Sequence, residues 1–167
     1  RGTAARPGRR IVIVGAGVAG CTAAENARRV DPEAAITLVT REPGLPYVRI
    51  NLTRLLAGDV AEADLVMHRD AWFLDHAIER VAGVVRSIDR AGKHVRLADG
   101  RPLAYDRLIL ATGAHPFVPP IAGATRQGVQ CLRSLADARA ILERVRPGTR
   151  CVCIGGGLLG LETAYGL

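Results

Sequence analysis

The first strongly patterned stretch of the chain is Arg10-Ile-Val-Ile-Val-Gly15, four β-branched residues with no polar break. A short continuous apolar run of this kind reads as a strand covered on both faces, as in a parallel sheet. The next stretch, from about Val18 to Val30, is Ala-rich and predicts a helix, which Asp31-Pro32 ends because a residue before proline is driven out of helical conformation. Ile36-Thr-Leu-Val39 is a second strand. Together they form a β-α-β unit of about 30 residues, whose crossover is right-handed and whose strands pair in parallel.

Beyond this unit the pattern is more varied. Residues 43 to 48, PGLPYV, form a loop; Asn51 to Ala57 predict a helix ended by Gly58, and Ala71 to Asp75 start another short one. From Ile78 to Leu103 the period changes. Val84 to Asp89 and His94 to Ala98, joined through Arg90 to Lys93, alternate as an antiparallel hairpin does, and Asp99-Gly100 adds a turn. Leu108 to Ala111 predicts another buried strand, and Pro116, Pro119 and Pro120 stiffen an extended connector. Ser134 to Arg146 predicts a helix with Ser134 or Asp137 at its start. Cys151-Val-Cys-Ile154 predicts a strand leading into Gly155-Gly-Gly157-Leu-Leu-Gly160 and the opening of a last helix. Residues 1 to 9 read as a disordered arm, 10 to 120 as one nucleotide-binding domain, and 121 to 167 as a connector and the start of a second.

Composition narrows the function classes. The chain has 167 residues, 49% apolar and 23% charged, a globular balance. Only 4% are aromatic, so Val, Ile, Leu and Ala must build the core. No run approaches the ~18 to 20 apolar residues of a membrane span. The N-terminus RGTAARPGRR has no hydrophobic signal region and no initiator Met, so the expectation is a cytoplasmic protein read from a processed chain or a fragment. The formal charge is +7, with 22 Arg against one Lys. These arginines are scattered and no recognition motif accompanies them, so nucleic-acid binding is not expected. The four cysteines, at 21, 131, 151 and 153, show no C-x-x-C pair and no zinc spacing, and read as buried small residues.

The chemistry lies in the glycines. In Gly15-Ala-Gly17-Val-Ala-Gly20 a strand precedes, a helix follows, and Glu42 stands 22 positions beyond Gly20 at the end of the second strand. This is the dinucleotide-binding arrangement. Gly15 permits the tight turn, Gly17 lets backbone approach a pyrophosphate, and Gly20 lets helix and strand pack closely. The helix N-terminus presents N–H groups and partial positive charge to the phosphates, and Glu42 can accept from a ribose diol. Gly155, Gly157 and Gly160 repeat the spacing 140 residues later, again after an apolar run, with Glu162 following. Two such fingerprints imply two dinucleotides, as a flavin enzyme reduced by a nicotinamide requires.

Ala111-Thr112-Gly113 completes a set that resembles the pyridine-nucleotide-dependent FAD oxidoreductases of the glutathione-reductase-like fold. The segments YDRLILATGAHPFVPPIAG, CLRSLADARAI and GGGLLGLETAYGL carry the resemblance, which spans Arg10 to Leu167. It implies a doubly wound α/β FAD domain with an antiparallel hairpin insertion, then the start of an NAD(P)-binding Rossmann domain. Disulfide reductases of the family carry a C-x4-C pair after the second strand; this chain has no cysteine between Cys21 and Cys131, so a dithiol mechanism is excluded. The run Leu45-Pro-Tyr47-Val-Arg49 to Gly58 is similar instead to the nitrite reductase large subunits, with rubredoxin and ferredoxin reductases as relatives.

The resemblance also implies roles. Gly15, Gly17 and Gly20 hold the FAD pyrophosphate, and Glu42 the adenosine ribose. Arg49 contacts the FAD phosphates, Val85 lends a backbone contact to adenine, Ala111, Thr112 and Gly113 lie toward the flavin, and Arg133 reaches back to FAD. Gly155, Gly157 and Gly160 take the NAD(P)H pyrophosphate. Glu162 approaches the nicotinamide and flavin edge. For Arg49, Val85 and Glu162 the plain alternatives are a loop arginine, a core valine and a helix-surface carboxylate. The expected activity is electron transfer from NAD(P)H through FAD to an iron–sulfur or sirohaem domain or a small electron-transfer protein, in a chain that can form a homo-oligomer. The alternative is an incomplete dinucleotide-binding module with no catalysis of its own.

Overall fold

The computed structural model describes residues 8–167; most of the expected arm, residues 1–7, lies outside the described residues. The chain forms β1 (Arg10–Val14), α1 (Val18–Val30), β2 (Ala35–Thr40), α2 (Leu52–Leu56), α3 (Asp70–Asp75), β3 (Ile78–Ala82), β4 (Val85–Asp89), β5 (His94–Leu97), β6 (Pro102–Ala104), β7 (Arg107–Leu110), α4 (Leu135–Arg144) and α5 (Leu158–Gly166). Two compact units divide them. One comprises Arg1–Tyr47 and Met67–Gly113, the other Val48–Val66 and Ala114–Leu167.

The first unit is built on a four-stranded parallel sheet in the order β3-β2-β1-β7. Alternation along β1 makes its two-sided core. Ile11 and Ile13 join Cys21 and Ala24 of α1, Ile36 and Leu38 of β2, and Phe73 of α3 on one face. Val12 and Val14 join Val39, Val81, Val95, Leu97 and Tyr105 on the other. That second face is covered by the antiparallel sheet β4-β5-β6, which supplies Val95 and Leu97. Ile13, Leu38 and Val95 are fully buried, and each such side chain stabilises the unit by about 1.5–3 kcal/mol. The chain runs from β1 outward through β2 to β3, then returns to the far side of β1 as β7. The carboxyl ends of β1 and β7 therefore flank a point where the winding reverses, which is where open α/β sheets bind ligands.

The structure amends several expectations. Gly8 and Arg9, expected in the arm, are fixed: the Ala35 N–H donates to the Arg9 carbonyl at 2.9 Å, and Gly8 lies so close to the Glu33 carbonyl that a Cβ would not fit. Before the hairpin, Ile78–Ala82 forms a strand the sequence reading did not assign, β3, which pairs in parallel with β2. The hairpin gains a third strand, β6, and a register shift between Val85 and Ser87. The strand β7 is half-buried rather than buried, because it pairs with β1 alone at the sheet edge, and Leu110 is 58% exposed.

In the second unit, α2 packs against both α4 and α5. Ser134 caps α4, its Oγ accepting from the Asp137 N–H at 3.2 Å while Asp137 Oδ2 accepts from the Ser134 N–H at 2.7 Å, the reciprocal pairing of a capping box. Residues 151–154 form no strand, since none of the described residues pairs with them. Cys151 and Cys153 are consequently exposed, against the expectation that they are buried, and Cys131 is half-buried; only Cys21 is buried as expected.

Candidate functional site

The first fingerprint sits at the carboxyl end of β1. Gly15 has φ +110°, a conformation that L side chains rarely adopt. A Cβ there would lie 2.1 Å from the Ala111 carbonyl oxygen, and one at Gly20 would lie 1.8 Å from the Gly15 oxygen. At Gly17 a Cβ would meet nothing within 4 Å. The three glycines thus differ: Gly15 and Gly20 are required by the protein's own packing, whereas open space lies beside Gly17. Gly17 caps α1, and the first intrahelical bond runs from the Cys21 N–H to the Gly17 carbonyl at 3.0 Å. The N–H groups of Val18, Ala19 and Gly20 precede that bond, and the first turn has no acidic residue. This is an anion cradle in form.

Ala111 is drawn to the same place. Its N–H donates to the Val14 carbonyl at 2.8 Å, and its own carbonyl closes over Gly15. Thr112 and Gly113 follow as exposed residues, Gly113 with φ +67°. Glu42 lies just past β2, and its Oε2 accepts from the Tyr47 hydroxyl at 2.6 Å. Tyr47 is buried, so the carboxylate is held from beneath. A surface pocket of about 290 Å³ adjoins it, lined among others by Thr40, Pro43, Gly44 and Ala82. Arg80 borders this pocket, pairs with Asp70, and lies 4.7 Å over the Phe73 ring. Val85 packs its side chain against the Val12 and Val14 face, and its backbone is in register with Leu97.

The remaining predicted residues belong to the second unit. Arg49 Nη1 donates to the Arg133 carbonyl at 2.5 Å, and Arg133 Nε donates to the Ala114 carbonyl at 3.0 Å. The Arg133 N–H is held by Asp137 Oδ2 at 3.0 Å, so the capping box of α4 also fixes the backbone of Arg133. The second fingerprint repeats the first. Gly155 has φ +119°, a Cβ at Gly160 would lie 2.0 Å from the Gly155 oxygen, and one at Gly157 would meet nothing within 4 Å. Gly157 caps α5 with φ −74° and ψ 171°, against −77° and −173° at Gly17. Glu162 is exposed, and its Oε2 accepts from the Thr53 hydroxyl at 3.0 Å.

Three participants were not singled out from sequence. Tyr47 and Thr53 lie in the run 45–58 without a role of their own, and the sequence marks Asp137 only as a helix start. Each acts through a contact between loops or short helices that residue spacing does not encode. A further feature is a stack of His68, Trp72 and His76, with ring centroids 3.8 and 4.2 Å apart; two of the four histidines thereby brace α3. Among the described residues no group of three or more His, Cys, Asp or Glu could hold a metal ion, and no helix is long and apolar enough to cross a membrane. Burial pushes the Cys21 thiol up to about 11. The Arg10 guanidinium holds the Asp106 carboxyl well below the usual carboxylate range.

Comparison with known proteins defines the class. The family model for the pyridine nucleotide-disulphide oxidoreductases matches residues 9–167, and the chain belongs to that family. The family uses FAD and NAD(P)H. The biphenyl dioxygenase system ferredoxin–NAD(+) reductase component of Paraburkholderia xenovorans (strain LB400) is 38% identical over 156 residues, covering 92% of this chain and 38% of that protein. The nitrite reductase [NAD(P)H] large subunit of Klebsiella oxytoca is 39% identical over 160 residues, covering 94% of this chain and 17% of that one. Among solved structures, that of the covalent putidaredoxin reductase–putidaredoxin complex is similar with a TM-score of 0.87 at 34% identity, covering 96% of this chain and 40% of the other. The chain thus spans well under half the length of these relatives.

Proposed function

We propose that this chain is the FAD-binding part of an NAD(P)H-dependent oxidoreductase that passes electrons to a metal-centre acceptor, either a small iron–sulfur protein or an attached iron–sulfur and sirohaem domain. The observation that carries this reading is the pair of fingerprints with the same local geometry, each with an open cradle at its middle glycine. Bound here, FAD would supply two-electron redox chemistry between a nicotinamide and an acceptor. The protein's part is binding and position. Gly15, Gly17 and Gly20 with the first turn of α1 take the FAD pyrophosphate, and Glu42, held by Tyr47, takes the ribose. Arg49 and Arg133 serve the phosphates, Val85 offers backbone to adenine, and Ala111, Thr112 and Gly113 border the flavin. Gly155, Gly157 and Gly160 receive the nicotinamide dinucleotide, and Glu162 meets its reacting end. The similar identities to a ferredoxin reductase component and to a nitrite reductase favour electron transfer to a metal centre.

A second reading, a nucleotide-binding module without turnover, is favoured by one observation. Val152 and Ile154, which lead into the second fingerprint, are 87% and 72% exposed, so no sheet backs it among the described residues. Purification with FAD, an absorbance spectrum and anaerobic addition of NADH separate the readings. The electron-transfer reading expects a flavin spectrum that NADH bleaches and a ferredoxin-type acceptor restores. A flavin spectrum indifferent to NADH supports the module, and a colourless protein that takes up no added FAD contradicts both.

A further inference from the structure

The α2–α5 packing places a buried hydroxyl against the carboxylate assigned above to the nicotinamide end. Thr53 is 5% exposed and shares the inner face of α2 with the buried Leu52 and Leu56. A hydroxyl on such a face costs stability unless it is hydrogen-bonded. Its partner is Glu162 Oε2, at 3.0 Å. The approach of the two helices is close. A Cβ at Gly166, one turn beyond Glu162 on the same side of α5, would lie 3.0 Å from the Thr53 carbonyl oxygen and 3.1 Å from the Ala57 nitrogen. Glu162 otherwise sits on an exposed stretch of helix, where a glutamate samples several rotamers.

We propose that Thr53 is a positioning residue for Glu162, donating to one carboxylate oxygen so that the other is presented in a fixed direction to the carboxamide of a bound nicotinamide dinucleotide. The inference rests on the reading that Glu162 meets the nicotinamide. Hydroxyl-to-carboxylate bonds are among the stronger ones, and holding a flexible side chain before the ligand arrives removes an ordering cost from binding. Oε1 of Glu162 accepts no hydrogen bond among the described residues, which leaves it for the ligand.

The test is equilibrium binding of NADH to the full chain, followed by nicotinamide fluorescence, for wild type, Thr53→Val, Thr53→Ser, Glu162→Gln and the double variant Thr53→Val/Glu162→Gln. Valine keeps the volume and removes the donor; serine keeps the donor. The expected result is a Kd raised about five- to tenfold by Thr53→Val, near wild type for Thr53→Ser, and no further loss when Thr53→Val is added to Glu162→Gln. Should the valine variant not fold, Thr53→Cys, of similar size with a weak donor, takes its place under the same criteria. Weakening by Glu162→Gln with none by Thr53→Val, or fully additive losses, overturns the role of Thr53 and leaves that of Glu162 standing. Wild-type affinity for Glu162→Gln overturns the reading of Glu162 itself, and the positioning role falls with it.

Discussion

The two glycine fingerprints are near copies in backbone and opposites in surroundings. Gly15 and Gly155 share a φ above +100°, Gly20 and Gly160 press on the first glycine's carbonyl, and Gly17 and Gly157 cap their helices in the same conformation. Around the first, however, the Ala111 carbonyl just after β7 would lie 2.1 Å from a Cβ on Gly15, whereas a Cβ on Gly155 would meet nothing within 4 Å. Cys21, next after the first fingerprint, is fully buried; Leu161, its counterpart, is 61% exposed. The turn from extended chain into a capped helix thus has the same backbone geometry at both fingerprints, while the packing around it differs. What the sheet adds at the first is a second wall, the chain after β7.

Breaking that comparison is most direct at the first glycines. Gly15→Ala combines backbone strain with a clash against the backbone after β7, and is expected to destabilise the first unit by about 4 kcal/mol or more. Gly155→Ala carries only the strain, about 1–2 kcal/mol. Urea unfolding measures both, followed by Trp72 fluorescence for Gly15→Ala and by circular dichroism for Gly155→Ala; similar shifts from both variants would mean that the β7 side contributes nothing. The buried cysteine gives a smaller, pH-dependent effect. Below about pH 9 the folded and unfolded chains both keep the Cys21 proton, and between about 9 and about 11 only the unfolded chain loses it. Stability should therefore fall across that window. Cys21→Ala should flatten that limb of the profile, and an unchanged profile in the variant would assign the loss to other groups. The smallest effect belongs to the exposed Arg10–Asp106 pair, which ties the start of β1 to the residue before β7 with a 2.9 Å contact. Its carboxyl is depressed in the folded state, so its contribution is present above about pH 4 and fades as the pH falls below it. Solvent screening keeps that contribution small, and Asp106→Asn should remove it with little change at neutral pH.

The elements built from continuous apolar runs were legible in the sequence. The run at 11–14, the helix Val18–Val30 and the run at 36–39 stand where their periodicity put them, because each buries against neighbours its own pattern anticipates. The family, the α/β class and the two cofactors were likewise legible from glycine spacing and the Ala111-Thr112-Gly113 segment. What spacing did not carry was partnership. β3 carries Glu79 and Arg80 in its middle, so no continuous apolar run marks it as a strand of the parallel sheet. The apolar run at 151–154 has the composition of a strand, but a strand also needs another beside it to satisfy its backbone groups. The supports of the candidate site fall under the same limit: Tyr47 to Glu42, Asp137 to Arg133 and Thr53 to Glu162 join residues 4 to 109 positions apart through folded geometry.

The central claim is that the two cradles serve two different dinucleotides. Gly17→Val and Gly157→Val test it, since a Cβ at either position meets nothing within 4 Å. Binding of FAD and of NADH is measured by fluorescence for both variants, with thermal unfolding as the control for folding. The account predicts that Gly17→Val abolishes FAD binding, that Gly157→Val retains FAD and loses NADH, and that both keep their folded transition. Retention of FAD by Gly17→Val, or its loss from Gly157→Val, would contradict the assignment.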